Sequence, residues 1–153
     1  MGYILAQTFF AFISTIGFAI IFNIKGRRNI LFASIAGGLS WFVYKVILSF
    51  DPSVSFAMFF SAICFSIYSE VLARKLKTPV TTLIICALIP LVPGSGMYYT
   101  MHAAVTGDTI KALDLAIDTL SSAGALALGI LLVSTITRHY YQKKYKKNKG
   151  SLK

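Results

Sequence analysis

Long apolar stretches, separated by short polar connectors, dominate this chain of 153 residues. Five of the stretches approach the roughly 20 residues that a helix needs to cross a hydrocarbon core of about 30 Å. We therefore predict an all-α integral membrane protein with five transmembrane helices in a single transmembrane domain, 1–137. The predicted helices cover residues 3–23, 30–50, 54–72, 79–106 (broken) and 112–137, and a basic tail, 138–153, follows them.

The first apolar stretch, MGYILAQTFFAFISTIGFAIIFN, could be mistaken for a secretory signal peptide. It has no positive residue before its apolar core, which a signal peptide requires. A basic cluster follows the stretch instead. We interpret it as a retained first helix.

The composition supports a membrane protein and favours lipid over nucleic acid as its partner. The chain is 56% hydrophobic, its mean hydropathy is +0.72 and its formal net charge is +10. A basic excess can indicate nucleic acid or an anionic membrane surface. Because the apolar stretches favour the membrane, we expect contacts with lipid and no nucleic-acid partner, with the tyrosines and lysines of the tail at the headgroups.

Positive residues alternate between the connectors and so predict an orientation. The connectors and tail carry, in order, three, none, three, one and seven lysines and arginines. Lysine and arginine concentrate on the cytoplasmic side of membrane proteins. The pattern therefore predicts a multi-pass protein of the cell membrane with its N-terminus outside and its C-terminus in the cytoplasm.

The stretch IPLVPGSGMYY, residues 89–99, places two prolines and two glycines within the fourth apolar stretch. Proline removes a backbone donor, and glycine permits backbone angles that other residues resist. We predict a helix broken at Pro90–Gly96, with Ser95 as the N-cap of a second half-helix, 96–105. Irregular backbone at membrane depth is tolerated where it lines a cavity or is buried in protein. The alternative is a fourth helix that ends at Val92, followed by an ordinary outer turn.

A longer segment around this break, EVLARKLKTPVTTLIICALIPLVPGSGMYYTM, resembles the small membrane subunit of the two-part threonine/serine exporter family. The family's features fall on Glu70, Leu72–Arg74, Lys77, Pro79, Pro90–Gly94 and Tyr98 or Tyr99. The resemblance implies an exporter of amino acids or small dicarboxylates that works with a larger transmembrane subunit. Threonine and serine are the first expectation for the substrate. Some members are proposed to export succinate, so a dicarboxylate is the alternative.

The broken helix is the predicted substrate site. A helix N-terminus presents free N–H groups and a partial positive charge, which bind carboxylates in secondary transporters. We expect ion-coupled alternating access with the substrate carboxylate held at this end. The predicted substrate-binding residues are Pro90, Pro93, Gly94, Ser95, Gly96 and Tyr98. The chain could instead be an accessory subunit that only stabilises its larger partner.

Acidic residues within the apolar stretches are candidates for coupling or gating, because intramembrane carboxylates are costly and usually functional. Glu70 lies four residues before Arg74, so an ordinary helical ion pair is the alternative. Asp114 and Asp118 share one face of the fifth predicted helix with two serines, 121 and 122. The alternative is that this helix begins later and both aspartates are solvated.

Lys45 is a further coupling or gating candidate. It either extends to the outer headgroups or pairs with Asp114 or Asp118. No nucleophile–base pair, metal-ligand spacing or phosphate loop is recognisable in the sequence, so we predict neither an enzyme nor a cofactor or metal site. Two pairs of small residues, Ala33 with Gly37 and Ala125 with Gly129, are typical of close helix packing. Self-assembly into a homo-oligomer is also possible.

Overall fold

The computed structural model describes residues 2–150, without the side chains of residues 142 and 144–150. Over this range the chain is helical and contains no strand. The helices are α1 (Gly2–Ile21), α2 (Arg27–Leu48), α3 (Val54–Leu76), α4 (Val80–Leu88), α5 (Gly94–Val105) and α6 (Thr109–Gly150), with a short 3-10 turn, Ile89–Leu91, after α4.

Four helices, α1, α2, α3 and α6, are long and apolar enough to cross a membrane. The pair α4–α5 reaches the same length together and is bent by 51° at its break. The protein is therefore an all-α, multi-pass membrane protein, as the apolar pattern predicts. Its bent helix pair lies where the prolines and glycines predict a break.

Neighbouring helices up to α3 alternate in direction. On α3, the Ser61 hydroxyl donates to the carbonyl of Ser40 at 2.6 Å, and the Tyr68 hydroxyl donates to the carbonyl of Phe32 at 3.4 Å. Later residues of α3 thus meet earlier residues of α2, so the two helices are antiparallel. The Ser40 hydroxyl also donates to the Ala87 carbonyl at 2.9 Å, which joins α2 to α4. These buried serines satisfy backbone groups between helices where lipid offers no partner.

The helices α3 and α6 run in the same direction along most of their length. Three contacts join residues that are 67 positions apart in the sequence. They pair Ser55 with Ser122, Ala62 with Gly129 and Arg74 with Tyr141. A constant separation means that both chains advance together, which is a parallel arrangement. Between them the chain must return from one end of the bundle to the other, and α4 and α5 provide that single return.

Small residues allow the helices to approach closely, as their spacing predicts. A Cβ atom on Gly37 would overlap the Thr15 side chain of α1. A Cβ atom on Gly129 would lie 2.7 Å from the Ala62 Cβ and 2.9 Å from the Phe59 carbonyl oxygen. Both distances are far too short for carbon, so each glycine sets the distance between two helices.

Most helix ends lie within four residues of their predicted positions, and two differences change the interpretation. The second half-helix begins at Gly94 with Pro93 at its N-cap, and no side chain caps it, so the prediction of Ser95 as N-cap is wrong. Proline suits this place because its fixed φ is compatible with a helix start. The helix α6 continues to Gly150 through much of the predicted tail. The predicted headgroup contacts of residues 142 and 144–153 lie outside the described side chains.

Candidate functional site: a polar cavity at the broken span

An open cavity of about 550 Å³ lies where the broken span meets α2, α3 and α6. This volume falls within the range of small-molecule sites, about 300–1,000 Å³. Four parts of the chain build its wall. The lining residues are Trp41 and Tyr44 of α2; Ser53, Val54, Ser55 and Met58 around the start of α3; Pro90, Leu91, Val92, Pro93, Ser95 and Gly96 at the break; and Leu115, Asp118, Thr119 and Ser122 of α6.

The N-terminus of α5 supplies backbone donors to this cavity. The Gly94 N–H donates to the Val92 carbonyl at 2.7 Å, and the Met97 N–H donates to the Pro93 carbonyl at 3.1 Å. Among the described residues, the N–H groups of Ser95 and Gly96 have no hydrogen-bond acceptor. Both residues line the cavity. The uncapped helix end therefore presents two free donors and the positive end of its dipole to any solute there.

The wall on α2 is aromatic and carries one more donor. Trp41 lines the cavity, and its buried indole N–H has no partner in the part of the chain that the structure describes. The Lys45 ammonium lies 5.2 Å from the centre of the Trp41 ring and 5.7 Å from that of Tyr44. Lys45 forms no ion pair with Asp114 or Asp118, so that alternative is not observed. The lysine instead places a positive charge behind the aromatic wall.

The wall on α6 is polar and contains the one charged residue of the cavity lining. Asp118 is exposed and lines the cavity, and it has no ion pair or hydrogen bond within the described residues. One turn further along α6, the Ser122 hydroxyl lies 3.5 Å from that of Ser55. Asp114 is exposed and does not line the cavity. The two aspartates therefore have different surroundings, and only Asp118, which the sequence places one turn deeper, lines the cavity.

Close packing holds α5 against α6 at the cavity. A Cβ atom on Gly96 would overlap the Thr119 hydroxyl and would lie 3.3 Å from the Thr119 Cβ. Because Thr119 follows Asp118 directly, this contact fixes the free amides of α5 beside the turn that carries the carboxylate. The free amides of α5 and the Asp118 carboxylate, which have opposite polarity, therefore lie in neighbouring parts of the cavity wall.

The structure brings together five of the predicted site residues and separates the others. Those in the cavity wall are Pro90, Pro93, Ser95, Gly96 and Asp118. Gly94 faces open space. Tyr98 is 63% exposed and packs against Tyr99 and His102. It lies on the side of α5 that faces away from α6.

Several lining residues are absent from the sequence-based site. The sequence context of Trp41 is typical of a packing residue within an apolar helix. Ser53 and Ser55 are typical of a connector and of a helix start. No sequence pattern points to Thr119, because its importance comes from its contact with Gly96 on α5. Ser122, by contrast, belongs to the polar face that the sequence predicts for this helix.

Glu70 lies in a second polar cluster, away from the cavity. Its carboxylate is 2.7 Å from Nη2 of Arg74, and the side chains of Glu70 and Arg74 are 9% and 33% exposed. Arg74 also donates through Nη1 to the Glu70 carbonyl at 2.7 Å, and its guanidinium lies 3.9 Å from the centre of the Tyr141 ring. Glu70 is 15 residues beyond Ser55 on α3, about 22 Å at 1.5 Å per residue. It therefore belongs to the opposite end of the bundle.

The fold and the cavity together define a polytopic α-helical membrane protein with a solute-sized cavity of mixed polar and apolar lining at a broken span, an arrangement common in secondary transporters. A family model described as "Threonine/Serine exporter, ThrE" matches residues 7–136. The chain therefore belongs to the threonine/serine exporter family, a family of transporters rather than enzymes. Neither the curated proteins nor the solved structures contain a match.

Proposed function

We propose that this chain is a subunit of a secondary exporter of small amino acids, with threonine and serine as substrates, in the cell membrane. The observation that carries the proposal is the pair of free amides, Ser95 and Gly96, at the wall of the cavity. A substrate carboxylate there would accept both N–H groups and lie at the positive end of α5. Family membership supports the substrate class.

The break in the span also suggests how the cavity could change its access. The helix α4 packs on α2 and α3, whereas α5 packs on α6. The backbone between them, Val92–Pro93, therefore joins two half-helices that pack on different neighbours, and the cavity lies beside this junction. We propose that a rotation at this point opens the cavity to one side of the membrane and then to the other, as alternating access requires.

Ion coupling and a partner complete the proposal. Glu70 is a candidate to couple or gate the transition, because its largely buried carboxylate pairs with Arg74, which in turn contacts Tyr141 on α6. Proton movement is the proposed driving force. We also propose a larger transmembrane subunit as partner, on the basis of the resemblance between this chain and the small subunit of two-part exporters.

Export from proteoliposomes tests the proposal. Vesicles would contain this chain with and without the larger subunit, loaded with labelled threonine, serine or succinate. Saturable export of threonine or serine that is abolished by Gly96→Val, with the complex intact, is the expected result. Unchanged transport by this variant would place the solute path in the other chain and leave this one an accessory subunit. Export of succinate alone would replace the amino-acid assignment.

A further inference from the structure

We infer that Asp118 binds the ammonium group of the substrate and so selects α-amino acids over carboxylates that lack an amino group. This inference rests on the proposed function and names the chemistry of the same cavity more narrowly. It assigns Asp118 a role in specificity rather than in coupling or gating.

The charge of Asp118 is uncompensated within the described chain. It alone carries a formal charge among the described lining residues, and no cation pairs with it there. The Lys45 ammonium lies against the rings of Trp41 and Tyr44 instead. A carboxylate at membrane depth is costly unless a positive group accompanies it. A substrate ammonium would supply that group.

The positions of the two polar features match the charges of an amino acid. The free amides of Ser95 and Gly96 favour a carboxylate, and Asp118 favours a cation. The contact between Gly96 and Thr119 brings these features to neighbouring parts of the wall. An α-amino acid carries its carboxylate and its ammonium on the same carbon, so one small molecule can contact both.

The same arrangement disfavours a dicarboxylate. If one carboxylate occupies the α5 end, the second one lies in a cavity whose charged residue is already an anion. Like charges in a partly desolvated site repel each other, and such repulsion is a common source of specificity. A monocarboxylate that lacks the amino group would leave Asp118 without a partner. Both classes should therefore bind more weakly than threonine.

Ligand binding to the purified full-length chain in lipid nanodiscs tests this role without a transport assay. Trp41 is the one tryptophan of the sequence and lines the cavity, so its fluorescence reports occupancy. The probes are L-threonine, 3-hydroxybutyrate, which is threonine without its amino group, and succinate. For the wild type we expect threonine to bind at least about tenfold more tightly than either carboxylate.

The decisive variant is Asp118→Asn, which keeps the shape of the side chain and removes its charge. We expect threonine affinity to fall by about tenfold or more, while affinity for 3-hydroxybutyrate stays the same or rises. Asp118→Glu should keep the preference for threonine. Asp51→Asn is the control, since it removes one carboxylate from the α2–α3 connector outside the cavity wall.

Each other outcome contradicts a specific statement. Equal weakening of threonine and 3-hydroxybutyrate by Asp118→Asn, or no change for either, would overturn the ammonium role and leave the proposed function standing. Tighter binding of succinate than threonine by the wild type would also overturn it. Absence of any response to the three probes in the folded wild type would overturn this inference and the placement of the substrate site in this chain, whereas export by the complex with the larger subunit tests the proposed function separately.

Discussion

Gly96 of α5 lies against Thr119 of α6 with no room for a side chain between them. The contact holds the start of α5, with its two free amides, at the wall of the cavity. It also explains why a residue without a Cβ stands at this place, although Gly96 has no unusual backbone angle. Space, rather than conformation, requires the glycine.

Alanine at residue 96 is expected to weaken binding of threonine by about tenfold or more, because the new methyl group forces α5 away from α6. Gly94→Ala is the matched control, since a Cβ atom there meets nothing within 4 Å. Titration of Trp41 fluorescence with threonine measures both. Replacing Thr119 by alanine in the Gly96→Ala background should recover part of the affinity. Equal effects of the two single substitutions would show that packing against Thr119 is not the cause.

The contact between α3 and α6 makes a prediction about stability. Gly129→Ala would bring a methyl group to 2.7 Å from the Ala62 Cβ and should cost about 1–3 kcal/mol in the free energy of unfolding. On the same helix, Gly124→Ala meets nothing within 4 Å and should leave the stability unchanged or raise it by up to about 1 kcal/mol, because alanine favours a helix more than glycine does. Unfolding in mixed detergent micelles compares the two. A Gly129→Ala protein as stable as the wild type would contradict the observed packing.

The pair Glu70–Arg74 is expected to show coupling in a double-mutant cycle. Arg74→Ala leaves a largely buried carboxylate without its cation, which costs about 1–3 kcal/mol when the partial exposure of Arg74 is allowed for. The double variant with Glu70→Gln should be more stable than Arg74→Ala alone, because no buried charge is then left unpaired.

Unfolding midpoints of the two single variants, the double variant and the wild type provide the cycle. Lys75→Ala serves as the control, since Lys75 is exposed and forms no ion pair among the described residues. Strictly additive effects of the two substitutions would mean that the ion pair contributes nothing to stability.

Membrane orientation follows from the positive clusters and can be measured directly. In a background with both native cysteines replaced by serine, single cysteines would be placed at Asp51, Gly107, Lys25 and Lys77. An impermeant maleimide added to intact cells should label the first two positions and spare the last two. The opposite pattern would invert the orientation. Labelling after cell lysis confirms that all four sites can react.

Patterns within single stretches predicted most of the helical framework. The apolar runs indicate the spanning helices, and the residues of IPLVPGSG indicate the break, because each acts through its own backbone. The exact start of α5 was harder to predict from the sequence. Both Pro93 and Ser95 are good residues for a helix start, and the choice between them depends on how α5 reaches α6.

Properties that depend on two distant parts of the chain were not predicted from the sequence. The direction of Tyr98 depends on which side of α5 packs against α6. The role of Thr119 depends on Gly96, and the contact of Arg74 with Tyr141 depends on a helix that continues beyond its predicted end. Local periodicity fixes the faces of a helix but does not identify the neighbour of each face.

The parallel arrangement of α3 and α6 limits the symmetry of the assemblies that copies of this chain can form. With one bent crossing between these helices, the bundle has an odd number of crossings, so its two ends lie on opposite sides of the membrane. Copies that follow the same charge pattern are all expected to insert in the same orientation. Many secondary transporters pair two halves of opposite orientation, related by an axis in the membrane plane. Copies of this chain alone cannot form such a pair. An inverted half would have to come from a polypeptide whose lysines and arginines follow the opposite pattern.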